Sequence, residues 1–276
     1  MNITAQDVNK LRQMTGAGMM DCKKALTESN GDFETAIEIL RKKGQKVSAS
    51  RADRQTSEGS LFIRTVSNDS EAFLIALNCE TDFVAKNEEF KSLGNAIIDA
   101  VVKERPADID SVKKLKLGNL SVGEKITELV GKIGEKIDLS SYEVISGEKV
   151  VSYIHANHKL GVVVALKGAT APAAIEAGKN VAMQIAAMNP IAIDKDNVDP
   201  KVIEKEIEIG KEQARAEGKP EAMLEKIAIG KLNKFYKEST LLNQDYVKDS
   251  SVTVGKYLES VSKGLTVVKF RRITLA

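Results

Sequence analysis

The chain has no tryptophan, two cysteines, five prolines and only 4% aromatic residues in a length of 276. Each shortage excludes something. Without a row of aromatic rings, a base-stacking platform for single-stranded nucleic acid is not expected. Lys plus Arg number 41 against 39 Asp plus Glu, a net of +2, so there is no cationic surplus for a phosphate backbone either. Cys22 and Cys79 stand far apart, at neither metal-ligand nor redox spacing, which predicts free and mostly buried thiols. No apolar run approaches the ~20 residues a membrane helix needs. The opening MNITAQDVNK also lacks the basic, apolar and small-residue zones of a secretory leader, so a cytoplasmic protein is expected, with no membrane partner. What is present is an ordinary globular balance, 42% apolar and 29% charged, enough for a sizeable core. The length suggests about two folding units at roughly 150 residues each.

Along the chain the hydrophobic period changes several times. Residues 1–45 read as a small helical domain. Thr4 with Asp7 makes a capping box, Val8, Leu11 and Met14 recur at helical spacing, and Gly16 stops the first helix. A second helix is predicted from Met19 to Ser29. Asn30-Gly31-Asp32 then ends it and caps a third, with Ala36, Ile37 and Leu40 inward and Gly44 as its stop. Residues 46–57, KVSASRADRQTS, hold almost nothing large and apolar and read as a solvated linker. Beyond it the period becomes that of strands, Ser60–Val66 and Glu71–Asn78 around the turn Ser67-Asn68-Asp69-Ser70, followed by a helix over Asn87–Val102. The same strand, strand, helix order returns at Lys149–His155, Gly161–Lys167 and the helix carrying Ile175, Val181 and Ile185. Between them residues 121–137 read as a helical stretch interrupted by Gly131 and Gly134.

That repeat predicts an α+β fold: two related α/β core subdomains, residues 58–139 and 140–276, each an antiparallel sheet covered by helices. Inserted in the second is a Glu- and Lys-rich segment, 198–237, with spaced apolar positions and a break at Gly218-Lys219-Pro220. It reads as an antiparallel helical hairpin with arms of ~20 residues and about 30 Å, expected to project from the body. The tail from Leu265 to Leu275, with Val268, Phe270 and Ile273 among basic residues, should return as a strand.

Chemistry-bearing motifs are few. Thr15-Gly16-Ala17-Gly18 lacks the Gly-Lys-Ser/Thr ending of a phosphate loop and follows a helix rather than a strand. His155 and His158 are the only histidines, and no nearby Glu or Cys completes a metal set. No Gly-x-Ser-x-Gly elbow or Cys-His pair offers a nucleophile, so neither an enzyme nor a cofactor is expected. More informative is Cys79-Glu80-Thr81-Asp82-Phe83-Val84 at a strand-to-helix corner. By spacing alone the commoner role is a core Phe83 with Asp82 as helix cap. The sharper one is an exposed Phe83 that enters a partner's pocket, where its burial contributes about 1.5–3 kcal/mol. Met19 and Met20 are consecutive and cannot share one inward stripe, so at least one should be exposed, as an incidental or an adaptable binding surface.

TGAGMMDCKKAL at Thr15–Leu26, then TDFV, SYIH and GVVVALKG in that order, closely resembles the bacterial elongation factor Ts family over nearly the whole chain. The resemblance implies a ubiquitin-associated-like three-helix domain at the N-terminus, a linker, two α/β core subdomains and an inserted antiparallel coiled-coil hairpin, in agreement with the division read from the residues. It also implies guanine nucleotide exchange on elongation factor Tu, with GDP and GTP held by that partner alone. Thr81, Asp82, Phe83 and Val84 would then disturb the partner's magnesium region, Arg12, Met19 and Met20 would contact its GTPase domain, and His155 would act near its nucleotide pocket. Self-association is a further option. A reading of another class is a chaperone-like or ribosome-associated binding module.

Overall fold

Thr4 opens the first helix with its hydroxyl accepting the Asp7 amide while Asp7 returns to the Thr4 backbone, in a computed structural model that describes residues 3–275. Helix α1 (Ala5–Thr15) ends on Gly16, whose φ of 66° suits a residue without a Cβ. Helix α2 is Met19–Glu28, and α3 (Phe33–Ser50) starts on Asp32, which accepts the Thr35 amide at 2.7 Å. Val8, Leu11, Cys22, Ala25, Leu26 and Ala36 form the buried centre of this bundle. Met14, though in helical register with Val8 and Leu11, is exposed.

The predicted stop at Gly44 is not there. Helix α3 runs through it, because Gly44 marks a helix crossing: a Cβ placed on Gly131 would come within 2.6 Å of the Gly44 Cα. The start of the expected linker is therefore helical to Ser50. Its next charges also have partners, since Arg54 donates to Glu80 at 2.8 Å and the Lys136 ammonium donates to the carbonyls of Ala52 and Arg54. Low apolar content predicted solvation. Residues 52–55 are exposed accordingly, and the Arg54–Glu80 ion pair and the Lys136 hydrogen bonds also tie the segment to residues distant in sequence.

Two compact units follow from the backbone contacts, one comprising residues up to Arg64, Phe73–Glu143 and Leu275, the other Thr65–Ala72 and Val144–Thr274. The first continues with β1 (Glu58–Val66), β2 (Glu71–Cys79), α4 (Asp82–Lys86), α5 (Glu88–Glu104), α6 (Ile109–Lys114), the short pair β3 (Lys116–Leu117) and β4 (Leu120–Ser121), α7 (Val122–Ile133) and β5 (Ile137–Ser146). Strand β2 is the middle of the sheet β1-β2-β5, and every residue from Ala72 to Cys79 is buried, which is why its sequence is apolar from Ala72 to Leu77. Helix α5 lies over β1, with Phe62 against Gly94 and the Arg64 guanidinium bonded to Asn95 and Asp99. Gly131 does not interrupt α7. Gly134, at φ 85°, ends it.

The second unit repeats the scheme. Its elements are β6 (Lys149–Ile154), β7 (Leu160–Lys167), α8 (Ala173–Met188), α9 (Pro200–Ala216), α10 (Glu221–Ser239), the pair β8 (Asp245–Tyr246) and β9 (Asp249–Thr253), α11 (Val254–Val261) and β10 (Thr266–Thr274). Again the second strand is central, in the order β10-β7-β6, with both pairings antiparallel. Helix α8 covers this sheet, and Val162, Val164, Leu166, Val181 and Ile185 make its core. Val268 falls at a register shift between Val267 and Lys269 and is exposed, while Val267 is buried in its place. Helices α9 and α10 pack on one another, with Gly210 against Ala228 and Lys211 bridging Glu208 and Glu225. No helix among the described residues is long and apolar enough to cross a membrane.

Candidate functional site

The corner after β2 presents the ring that sequence spacing left undecided. Phe83 is 81% exposed, so the core reading is wrong, and the helix cap is Thr81, not Asp82. Val84 is the residue of the short helix that turns inward, at 6% exposure. One buried and one exposed apolar neighbour follow from a single turn of helix standing on the end of a strand: one position faces the core and the next is directed away from it.

Short range forces alone would not hold a five-residue helix, since nucleating a turn is unfavourable. Bonds from distant residues anchor its start. Thr81 donates its amide and its hydroxyl to the Glu135 carboxylate at 3.1 and 2.9 Å, and its own oxygen accepts the Val84 amide at 3.4 Å. The Cys79 thiol donates to the Thr81 carbonyl at 3.1 Å. Burial pushes the Cys79 pKa up to about 12, with the charges of Glu135 and Glu58 adding to the effect, so the thiol stays protonated as a donor and is no nucleophile. Beside it Glu80 accepts the Lys136 amide at 2.6 Å and pairs with Arg54 and Arg51. Two adjacent residues on each side are thus clasped through two carboxylates, Glu135 to Thr81 and Glu80 to Lys136.

Charge at the tip is already paired. The Asp82 carboxylate accepts from Lys86 one helical turn on, at 2.6 Å, and this hydrogen bond holds its pKa below the ordinary range while raising that of Lys86. The i to i+4 spacing of Asp82 and Lys86 was readable from the sequence. Glu135 gave no such signal, being 54 residues from Thr81.

Arg12, Met19 and Met20 lie in the same unit as Phe83. Both methionines are exposed, at 51% and 63%, because α2 begins on them, ahead of its buried stripe Cys22, Ala25 and Leu26. Arg12 and Met19 line a groove whose opposite side is Asn87, Glu89 and Lys132, the last two joined as an ion pair. Asn87, which caps α5, is four positions after Phe83 in the chain. His155 belongs to the second unit, at the exposed start of the turn after β6, where its Nδ1 lies 2.8 Å from the Tyr153 hydroxyl. Among the described residues no group of three or more His, Cys, Asp or Glu is arranged to hold a metal ion.

The family described as Elongation factor TS matches residues 80–276, a span that starts at the Glu80 clasp and includes both the Phe83 corner and His155. The chain belongs to the elongation factor Ts family. Relatives carry the assignment across α1–α3 as well. The protein named Elongation factor Ts from Cytophaga hutchinsonii is 60% identical over 275 residues, 99% of each chain. That from Amoebophilus asiaticus is 57% identical over 273 residues, again 99% of each. One from Porphyromonas gingivalis is 48% identical over 276 residues, covering 100% of this chain and 99% of its own. This is a family of translation elongation factors.

A pH effect follows from the clasp. Burial raises the Glu80 pKa, but the Lys136 amide, Arg54 and Arg51 outweigh it and hold the carboxyl below its ordinary value. A depressed carboxylate pKa contributes stability that is complete above the unfolded value, ~4.3, and disappears as pH falls through the folded one. Glu80→Gln should therefore lower stability at pH 7 by about 1–2 kcal/mol. The gap between the urea midpoints of parent and variant should narrow as pH falls below about 4.3; a gap that stays constant through the acid range would assign the loss to packing.

Proposed function

We propose that this chain is a guanine nucleotide exchange factor for elongation factor Tu, acting by release of GDP from that partner so that GTP can bind. The observation that carries the reading is Phe83, a phenyl ring 81% exposed on a corner whose base is anchored. Leaving such a ring in water forgoes about 1.5–3 kcal/mol of burial, which a pocket on another protein would recover. The family resemblance assigns that pocket to the partner's magnesium region, with Thr81, Asp82 and Val84 shaping the corner around Phe83. Once the divalent ion loses its support, the phosphate charge it neutralised is exposed and GDP is held less tightly.

Coupling of this kind is reciprocal: the factor weakens GDP by the same ratio that GDP weakens the factor. A ten-thousandfold ratio corresponds to about 5.5 kcal/mol, more than one ring supplies. The remainder is distributed, with Arg12, Met19 and Met20 seated on the GTPase domain and His155 near the nucleotide pocket. The chain itself turns nothing over and needs no cofactor. Helices α9 and α10 would act in this scheme as an inserted coiled-coil hairpin.

Mixing the protein with elongation factor Tu loaded with labelled GDP tests this directly. Release should accelerate in proportion to the added chain until it saturates. Binding without acceleration would instead indicate an adaptor or chaperone-like module.

A further inference from the structure

We infer that Glu135 is a positioning residue for the Phe83 corner, an inference that rests on the exchange reading above. At 81% exposure the ring has little around it to fix its own direction. Its orientation is set by the backbone of α4, and that backbone hangs on Thr81. Glu135 is the only side chain among the described residues that accepts from Thr81, and it takes both donors, the amide at 3.1 Å and the hydroxyl at 2.9 Å. Sharing the hydroxyl matters. The proton points to Glu135, so a lone pair is left facing the Val84 amide and the cap closes in the correct sense.

Glu135 is itself well placed to be rigid. It follows Gly134, the left-handed residue that terminates α7, and precedes Lys136, whose amide is held by Glu80. The carboxylate thus joins the end of α7 to the corner after β2. Exchange requires the ring to arrive in one orientation, and a corner that is already ordered loses less freedom on docking than a mobile one. Glutamine in place of Glu135 keeps the length but removes the charge and leaves a single oxygen for both Thr81 donors, which weakens the two charge-assisted bonds.

The chain has no tryptophan, so Phe83→Trp provides a single fluorophore at the tip. Its nanosecond anisotropy in the protein alone should fall when Glu135→Gln is added, with far-ultraviolet circular dichroism unchanged. In the exchange assay on elongation factor Tu, Glu135→Gln should slow saturated GDP release by about tenfold while leaving complex affinity within about twofold. In a Phe83→Ala background it should have no further effect on the rate, which a merely structural role would not produce. Equal anisotropy, or additive losses in the double variant, would overturn the inference. If the parent itself fails to accelerate release, the exchange reading fails, and the anisotropy comparison still decides whether Glu135 orders the corner. Should Glu135→Gln not fold, Glu135→Asp shortens the carboxylate by one methylene while leaving the Thr81 cap untouched, and is read by the same comparisons.

Discussion

Phe83→Ala should slow saturated GDP release from elongation factor Tu by about tenfold to a hundredfold and leave the chain's own stability unchanged to within roughly 0.5 kcal/mol. The two halves of this expectation come from one fact. The ring is 81% exposed, so its removal opens no cavity and breaks no internal packing. Truncating a buried phenylalanine such as Phe73 or Phe90 would instead cost about 3–5 kcal/mol. What Phe83→Ala does remove is the free energy recovered when the ring leaves water for a partner's pocket, about 1.5–3 kcal/mol. If that burial is made chiefly as GDP leaves, the loss falls on the release rate; if the ring docks equally well before and after release, it falls on affinity. Stopped-flow release at several concentrations of the variant separates the two. Unchanged rates at saturation, with the complex still formed, would deny Phe83 its role and shift the work to the residues of α1 and α2. Lys86→Met supplies a companion measurement, because it frees the Asp82 carboxylate while leaving the ring in place.

The residues that define this corner differ in how far their roles could be read from the chain. Caps and turns were local and came out as expected: Thr4 with Asp7, Asp32, Gly16 and the Ser67–Ser70 turn act within a few residues of themselves. Central strands were also plain, since Ala72–Cys79, apart from Asn78, and Gly161–Leu166 are apolar and buried throughout. The side of the corner on which Phe83 falls was not readable, because a five-residue helix is too short for a hydrophobic period to establish itself. Exposure of Met14 was missed for a related reason: it keeps the 3.6-residue spacing of α1, yet it stands at the end where the bundle is already closed. Residues 51–54 read as free because their partners, Glu80 and Lys136, lie some distance along the chain. Glu135 is the extreme case. Nothing adjacent in sequence announces that a glutamate after the end of α7 will accept from the threonine that caps α4.

Gly44 and Gly131 make the same point with a larger energetic consequence, since a glycine inside a helix looks like a defect until its neighbour is known. Ala for Gly in a helix interior is worth up to about 1 kcal/mol of added stability. At Gly230 in α10, where a Cβ would meet nothing within 4 Å, Gly230→Ala should realise that gain. At Gly131 the same change puts a methyl 2.6 Å from the Gly44 Cα, a backbone atom that no rotamer change can move away. The two helices must separate, and overpacking of this sort costs about 1–3 kcal/mol, enough to reverse the propensity gain. Helices α3 and α7 meet along this crossing, so their separation should also loosen the groove that holds Arg12 and Met19 opposite Asn87 and Lys132. Gly131→Ala is therefore expected to lower the thermal midpoint and weaken binding to elongation factor Tu, whereas Gly230→Ala raises the midpoint and leaves binding alone. Thermal denaturation of both variants side by side is sufficient: midpoints that rise together would mean that the close approach of α3 to α7 is not what requires glycine at position 131.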